Sequence, residues 1–302
     1  MKETGNYQLK EKLSIWFDTY CHWILILPCV IVIAAVIIYP VIYTLNMSFH
    51  SWFISATTKP KFIALANYFK MFTGDERFVN AFKVTVYFTG VSVFIELVLG
   101  VGLAQFFNRE FFGKSFARSL MILPVASTPV AISLVWRNMY DPTRGIVNYF
   151  LSLFNISELQ WLKDPITVIP SLIIIDVWQW TPLVMLIALA GMTALPLEPY
   201  EAAIIDGASP WQIFRHITLP LIRPSIVVAA IFRFIDSVKT FDMIFVTSEG
   251  GPGVASQILN LYIFDQGFRY FHMGYASSLL VVLFFGILAI SFVLIQVRRF
   301  GL

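Results

Sequence analysis

Leu195-Pro-Leu-Glu-Pro-Tyr-Glu-Ala-Ala-Ile-Ile-Asp-Gly-Ala-Ser-Pro-Trp-Gln-Ile-Phe-Arg-His-Ile-Thr-Leu-Pro220 is a polar island between two long apolar stretches. Its grammar is that of two short helices. Pro199 suits the first position of a helix, and the charge of Glu198 suits the positive end of its dipole. Glu201, Ala202 and Ala203 continue that helix, and Gly207 supplies the left-handed residue that ends it. Ser209 caps a second helix with Pro210 at its first position. Trp211, Phe214 and Ile217 form an apolar side, turned either to this chain or to a partner, before Pro220 stops the helix. By itself this pattern fits any interspan loop of amphipathic helices equally well.

Outward from this loop, the positions of the charges measure the chain. A span needs about 20 mostly apolar residues to cross about 30 Å of hydrocarbon. On the N-terminal side, Ile166 to Met192 holds one charge, Asp176. On the C-terminal side, Pro224 to Thr247 is apolar apart from Arg233, Asp236, Lys239 and Asp242. Further out, Ser119 to Trp136 is uncharged and carries Pro124 and Pro129, which predicts a kinked span. Glu96 is the only charge between Lys83 and Arg109, His22 to Thr44 is uncharged, and so is Tyr270 to Val297. The reading is an all-α polytopic membrane protein with six spans, near 22–44, 84–107, 119–138, 166–190, 224–247 and 274–297. Residues 1–21 precede the six-span domain 22–302, and the hairpin covers 195–223. The first apolar run exceeds a signal-peptide core and lacks a small-x-small exit, so it is read as a retained span.

Six spans place both termini on one side. Lys2, Lys10, Lys12, Arg109, Lys114, Arg118, Arg215, Arg223, Arg298 and Arg299 fall on that side. Lys59, Lys61, Lys70, Arg77, Lys83, Arg137, Arg144, Lys163 and Arg269 fall on the other. The counts are nearly equal, and the density of basic residues in Asn108–Arg118 and at Arg298-Arg299 tilts the termini inward. The stretches Ser51–Arg77, Tyr140–Pro165, Gly191–Arg223 and Ser248–His272 are expected to fold outside the bilayer.

Composition agrees with this class. Of 302 residues, 58% are hydrophobic and 13% charged, against about a quarter charged in soluble domains. A soluble enzyme is excluded. A net charge of +3, with scattered basic residues, excludes nucleic-acid binding. Cys21 and Cys29 alone support neither a disulfide framework nor a multi-cysteine metal site. His22, His50, His216 and His272 lack metal-ligand spacing. Gly113-Lys114-Ser115 ends a stretch that imitates a phosphate-binding loop, but position 108 is Asn108, and Phe111 and Phe112 occupy places that must be small. It is read as a basic turn.

Glu201-Ala202-Ala203, three residues, Gly207, nine residues, Ile217-x-Leu219-Pro220 resembles the EAA motif of ABC importer permeases without a departure. Phe62-Ile-Ala-Leu-Ala-Asn67-Tyr68, Arg118-Ser-Leu-Met-Ile-Leu-Pro124, Gly250-Gly251-Pro252-Gly253 and Gly274-Tyr275-Ala276-Ser277 resemble segments of sugar permeases of the maltose-transporter type, and specifically the first subunit of the permease pair. The maltose member itself has extra N-terminal spans and a large periplasmic insertion; this chain shows neither and is similar to the common six-span form.

The resemblance implies a type I importer transmembrane domain in a bacterial or archaeal cytoplasmic membrane, with both termini cytoplasmic. It implies a transport subunit rather than an enzyme, with no cofactor of its own; ATP and Mg belong to partner ATPases. The implied partners are a second homologous permease, two copies of an ATP-binding subunit, and an extracytoplasmic binding protein that hands over a sugar or polyol. The hairpin is then a coupling helix seated in the ATPase. Glu201 is its charged contact, Ala202, Ala203 and Gly207 allow close fit, Asp206 is a contact or a cap, and Ile217, Leu219 and Pro220 complete the motif.

Ionisable side chains within spans face a cavity or a partner. Arg233, Asp236, Lys239 and Asp242 recur every three residues with alternating sign, a spacing that lets neighbours pair. One reading is a ladder that fastens the fifth span to Glu96 or Asp176; the other is a lining for the path. In the fourth span, Asp176, Trp178, Gln179, Trp180 and Thr181 combine aromatic faces with hydrogen-bonding groups, a set suited to sugars. The candidate path is therefore Glu96, Asp176, Trp178, Trp180, Arg233, Asp236, Lys239 and Asp242. Glu96 and Asp176 would also serve an ion-gradient-driven transporter or channel, the competing reading.

Overall fold

The computed structural model describes residues 2–54 and 59–300, with side chains for 16, 19–54 and 59–296. Met1 and residues 301–302, the outer ends of the two expected segments, lie outside the described residues. The side chains of Lys2, Lys10, Lys12, Arg298 and Arg299, used in the charge comparison, lie outside the described side chains.

Helix α1 (Lys2–Ile33) passes through a widened turn, Ala34–Ile38, into α2 (Tyr39–Ser48). The cause is Pro40. It has no N–H and crowds the turn before it, so the Tyr39 N–H reaches Ala34 O across a π-type turn. Along this helix Trp23, Leu25, Val32 and Val36 are exposed; α2 packs against the C-terminal helix α15 (Met273–Phe300). A two-stranded antiparallel pair follows, β1 (His50–Ser51) and β2 (Lys61–Phe62), with His50 opposite Phe62. Next come α3 (Ala66–Thr73) and the long α4 (Glu76–Phe107). Asp75 caps α4 by accepting the Phe78 N–H at 3.0 Å. The same carboxylate accepts the hydroxyls of Tyr262 and Tyr275. Burial pushes the Asp75 carboxyl up, but these hydroxyls and N–H groups outweigh it and hold it below its ordinary value.

Helices α5 (Lys114–Ala126) and α6 (Pro129–Met139) stand where one kinked span is predicted, and they meet at 98°. Pro129 forces the preceding Thr128 into extended backbone, φ −69° and ψ 138°, so the helix stops rather than bends. Then follow α7 (Ile146–Leu153), α8 (Val168–Thr193), α9 (Glu198–Ile205) and α10 (Pro210–Ile213). A second widened turn, Phe214–Thr218, leads to α11 (Leu219–Leu221), and again it ends two residues before a proline, Pro220. Helix α12 (Arg223–Val238) leaves this hairpin at 65°.

The fifth span, expected unbroken over 224–247, ends as a helix at Val238. The chain turns at 239–241 and resumes as α13 (Asp242–Thr247). The break is satisfied from outside: Asn260 Nδ2 donates to the freed Lys239 carbonyl at 2.8 Å. Helix α14 (Leu259–Phe264), a third widened turn (Asp265–Arg269) and α15 (Met273–Phe300) complete the chain.

Among the described residues, four stretches are long and apolar enough to cross a bilayer: Thr19–Ser48, Glu76–Phe107, Val168–Thr193 and Met273–Gln296. Counting each bent pair as one span brings the total to six. The bundle closes around α4 and α8. A Cβ on Gly100 of α4 would lie 2.6 Å from Val184 of α8, and one on Gly191 of α8 would lie 2.4 Å from Ser225 Oγ of α12. Phe88, Leu172, Ile175 and Ile244 fill one core between these helices, and Met185, Ala188 and Ile222 fill another toward the hairpin.

Candidate functional site

Arg233 is fully buried on α12. Its guanidinium forks onto Glu96 of α4, with Nε donating to Oε2 at 2.6 Å and Nη2 to Oε1 at 2.9 Å. Nη2 also donates to Asp176 Oδ2 of α8 at 3.1 Å, and Nη1 to Asp236 Oδ2 at 2.7 Å. The Trp180 ring lies 4.8 Å from Cζ. Only Arg has enough fixed donors for three carboxylates at once. The fastening reading of the charges therefore holds for Arg233, Glu96, Asp176 and Asp236. It fails beyond the end of α12: among the described residues Lys239 and Asp242 enter no ion pair. Glu96 and Asp176, which carried the ion-gradient reading, are both committed to Arg233.

The lining reading concerns a different subset. A cavity of about 210 Å³ lies between Pro129, α8 and the break after α12, and Asp176, Gln179, Trp180, Asp236, Lys239 and Asp242 face it. Asp236 belongs to both sets, with its side chain 47% exposed. Gln179 is buried, and its Nε2 makes no hydrogen bond within the described residues. An amide donor held dry is costly unless something else accepts from it. Glu96 and Arg233 do not reach this cavity's wall. Neither does Trp178. It stands edge-on to Trp136, with ring centres 5.7 Å apart, and lines a separate apolar groove of about 730 Å³ with Leu120, Pro124 and Ile174. Residues two apart on a helix differ by about 200° in direction, so Trp178 and Trp180 cannot share a face.

At the far end of α8 the hairpin forms as its grammar predicts. Gly207 has φ +74°. The Gly207 N–H donates to Ile204 O at 3.1 Å and the Ala208 N–H to Ala203 O at 2.9 Å, the paired bonds of a Schellman turn. Ser209 Oγ accepts the Gln212 N–H while Gln212 Oε1 accepts the Ser209 N–H, a complete capping box. Tyr200 Oη donates to Thr218 Oγ1 at 3.1 Å and ties the two arms together. Glu201, Ala202, Asp206, Gly207, Leu219 and Pro220 are exposed, and Ile217 is half-buried. Ala203 is buried, so its small side chain serves packing inside the hairpin. The apolar side divides: Phe214 packs against the core that contains Met185, Ala188 and Ile222, whereas Trp211 is 65% exposed. Ile204 and Ile205, which the motif does not single out, are exposed beside it.

The family model of the binding-protein-dependent transport system inner membrane component matches residues 96–301. The chain is 36% identical over 278 residues to the trehalose/maltose transport system permease protein MalF of Thermococcus litoralis, covering 92% of this chain and 93% of that one. It is 33% identical over 297 residues to the trehalose transport system permease protein SugA of Mycobacterium tuberculosis, covering 97% and 91%. A crystal structure of a bacterial ABC transporter involved in import of the acidic polysaccharide alginate superposes with a TM-score of 0.82 at 23% identity, over 95% of this chain and 98% of that one. At that identity the superposition establishes the fold.

Proposed function

The chain belongs to the family of binding-protein-dependent transport system inner membrane components and is a sugar importer permease; from this premise we propose that the sugar crosses the cavity between α8 and the end of α12, driven by a separate ATPase seated on the hairpin 195–223. The observation that carries the reading is the lining of that cavity: the Trp180 face, the Asp176 and Asp236 carboxylates and the Gln179 amide stand within one polar volume. Sugars offer apolar ring faces and hydroxyls that both donate and accept. The relatives named for trehalose, maltose and alginate transport support a carbohydrate rather than an amino acid.

The ATPase position fixes the rest of the assignment. The hairpin end faces the cytoplasm, and with six spans both termini do too. The end bearing β1, β2, α7 and α14 then faces an extracytoplasmic receptor, and a second permease completes the pathway. ATP and Mg act on the ATPase subunits, of which two copies serve the pair. Gly113 caps α5 at φ +78° beside a fully exposed Phe112.

Uptake of radiolabelled sugar into vesicles, with both permeases, the ATPase and the receptor present, is expected to require ATP. Uptake by this chain alone under a proton or sodium gradient would overturn the reading. A second test addresses the hairpin. Glu201→Lys places a cation where the partner expects an anion, and like charges brought together at an interface cost several kcal/mol. The variant is expected to insert normally but to lose the ATPase on copurification. Retention of the ATPase with unchanged uptake would remove Glu201 from that role.

A further inference from the structure

Helix α7 contains no charged residue, and its one buried residue is polar. Asn148 is 4% exposed, and its amide is fully used. Nδ2 donates to Pro142 O at 3.0 Å and Leu159 O at 3.1 Å; Oδ1 accepts the Leu159 N–H at 3.3 Å and Trp161 Nε1–H at 2.8 Å. The outward face is the apolar one. Ile146, Tyr149, Phe150, Leu153 and Phe154 are 48–76% exposed, and Ile156 follows at 49%. A surface helix in water turns its apolar stripe inward and its polar residues outward; here the order is inverted. The stretch Tyr140–Pro165, which charge alone places outside the bilayer, therefore has a segment dressed for an apolar medium.

We propose that α7 with Phe154 and Ile156 is an interfacial helix, lying in the leaflet opposite the hairpin. Its location suits this, since it begins seven residues after the end of the apolar α6. Arg144, Glu158 and Lys163, all exposed, bracket it in sequence as head-group or water contacts, and Tyr149 is a residue favoured at that depth. A docking receptor is the weaker occupant. Receptors leave between cycles, and each departure would return this face to water at about 25 cal/mol per Å². Lipid covers it throughout. The anchor also reaches the pathway: Asn148 holds Trp161, which stacks on Tyr140 at 5.1 Å, the residue just after α6. The start of α6, Pro129, lines the polar cavity.

The test uses the whole importer in lipid nanodiscs, with Cys21 and Cys29 replaced by serine. Nitroxide labels are placed singly at Phe150→Cys, Leu153→Cys, Phe154→Cys and, as the wet reference, Glu158→Cys. All four side chains are exposed; the Phe150 ring meets its sequence neighbour Tyr149 edge-on at 5.9 Å, and retained ATP-dependent uptake verifies assembly. Collision rates with oxygen, which partitions into lipid, and with a water-soluble nickel chelate are compared. The ratio of oxygen to nickel access is expected to be severalfold higher at positions 150, 153 and 154 than at 158. Ratios equal to that at 158 would place the face in water. Exclusion of both reagents would place it under a protein partner. Either result overturns the proposal.

Discussion

Arg233→Met is expected to prevent recovery of the assembled importer. The substitution removes the cation that pairs with both Glu96 and Asp176, which are buried on neighbouring helices. Removing one partner of a buried ion pair costs about 3–5 kcal/mol, because the remaining charge stays dry and unpaired. Here two carboxylates are stranded together. Membrane proteins share the marginal stability of other folds, so a loss of that size removes most of the folded fraction. The measurement is yield of monodisperse complex on gel filtration, with thermal melting of whatever survives. Two companions make the cause legible. Arg233→Lys keeps the charge but not the fork, and is expected to fall between wild type and Met. The triple variant Arg233→Met, Glu96→Gln, Asp176→Asn removes all three charges, and is expected to recover more complex than Arg233→Met alone. Equal loss in the single and triple variants would mean that packing around Arg233, rather than unpaired charge, governs the site.

Gly207→Val is expected to abolish ATP-dependent uptake while leaving the spans in place. At φ +74° a β-branched side chain is a true outlier, and such backbone costs on the order of 1–3 kcal/mol. The Schellman bonds to Ile204 and Ala203 hold this turn, so the strain unseats α9 from the capped α10. A Cβ at Gly207 would meet nothing within 4 Å, so crowding inside the chain plays no part. That makes Gly207→Asn informative, since Asn tolerates the left-handed region. If conformation alone matters, Asn keeps most of the uptake. If the ATPase presses directly on this backbone, Asn fails as Val does, and receptor-stimulated ATP hydrolysis fails with it. Normal uptake by Gly207→Val would refute both accounts.

Much of this was legible because membrane sequences are sparse in charge. The three-residue spacing of Arg233 and Asp236 announces their pairing, and Glu96 and Asp176 are the intramembrane acids within reach. The hairpin was legible to individual bonds, because proline, glycine and serine each permit few backbone choices. What escaped depended on distant partners. The end of α12 at Val238 relies on Asn260, which bonds the Lys239 carbonyl from 21 residues onward, and nothing local marks it. Two prolines foretell a kink in the third span, but the 98° angle depends on Thr128 being driven into extended backbone. Trp178 and Trp180 were grouped by composition when helical phase separates them. Charge counting also could not see α7, where neutral residues conceal which face is turned outward.

Arg233 has a mechanical meaning as well as an electrostatic one. One side chain pins α12 to both α4 and α8 at a single level, so α12 is a beam with a fulcrum. From Arg223, where the hairpin attaches, to the pin is ten residues, about 15 Å; from the pin to Val238 is five residues, about 7.5 Å. A push at the hairpin would emerge beside the cavity at about half its size and in the opposite sense, by the ratio of those arms. The beam trades stroke for force, and it does so beside Asp236 and Lys239, the side chains that border the cavity.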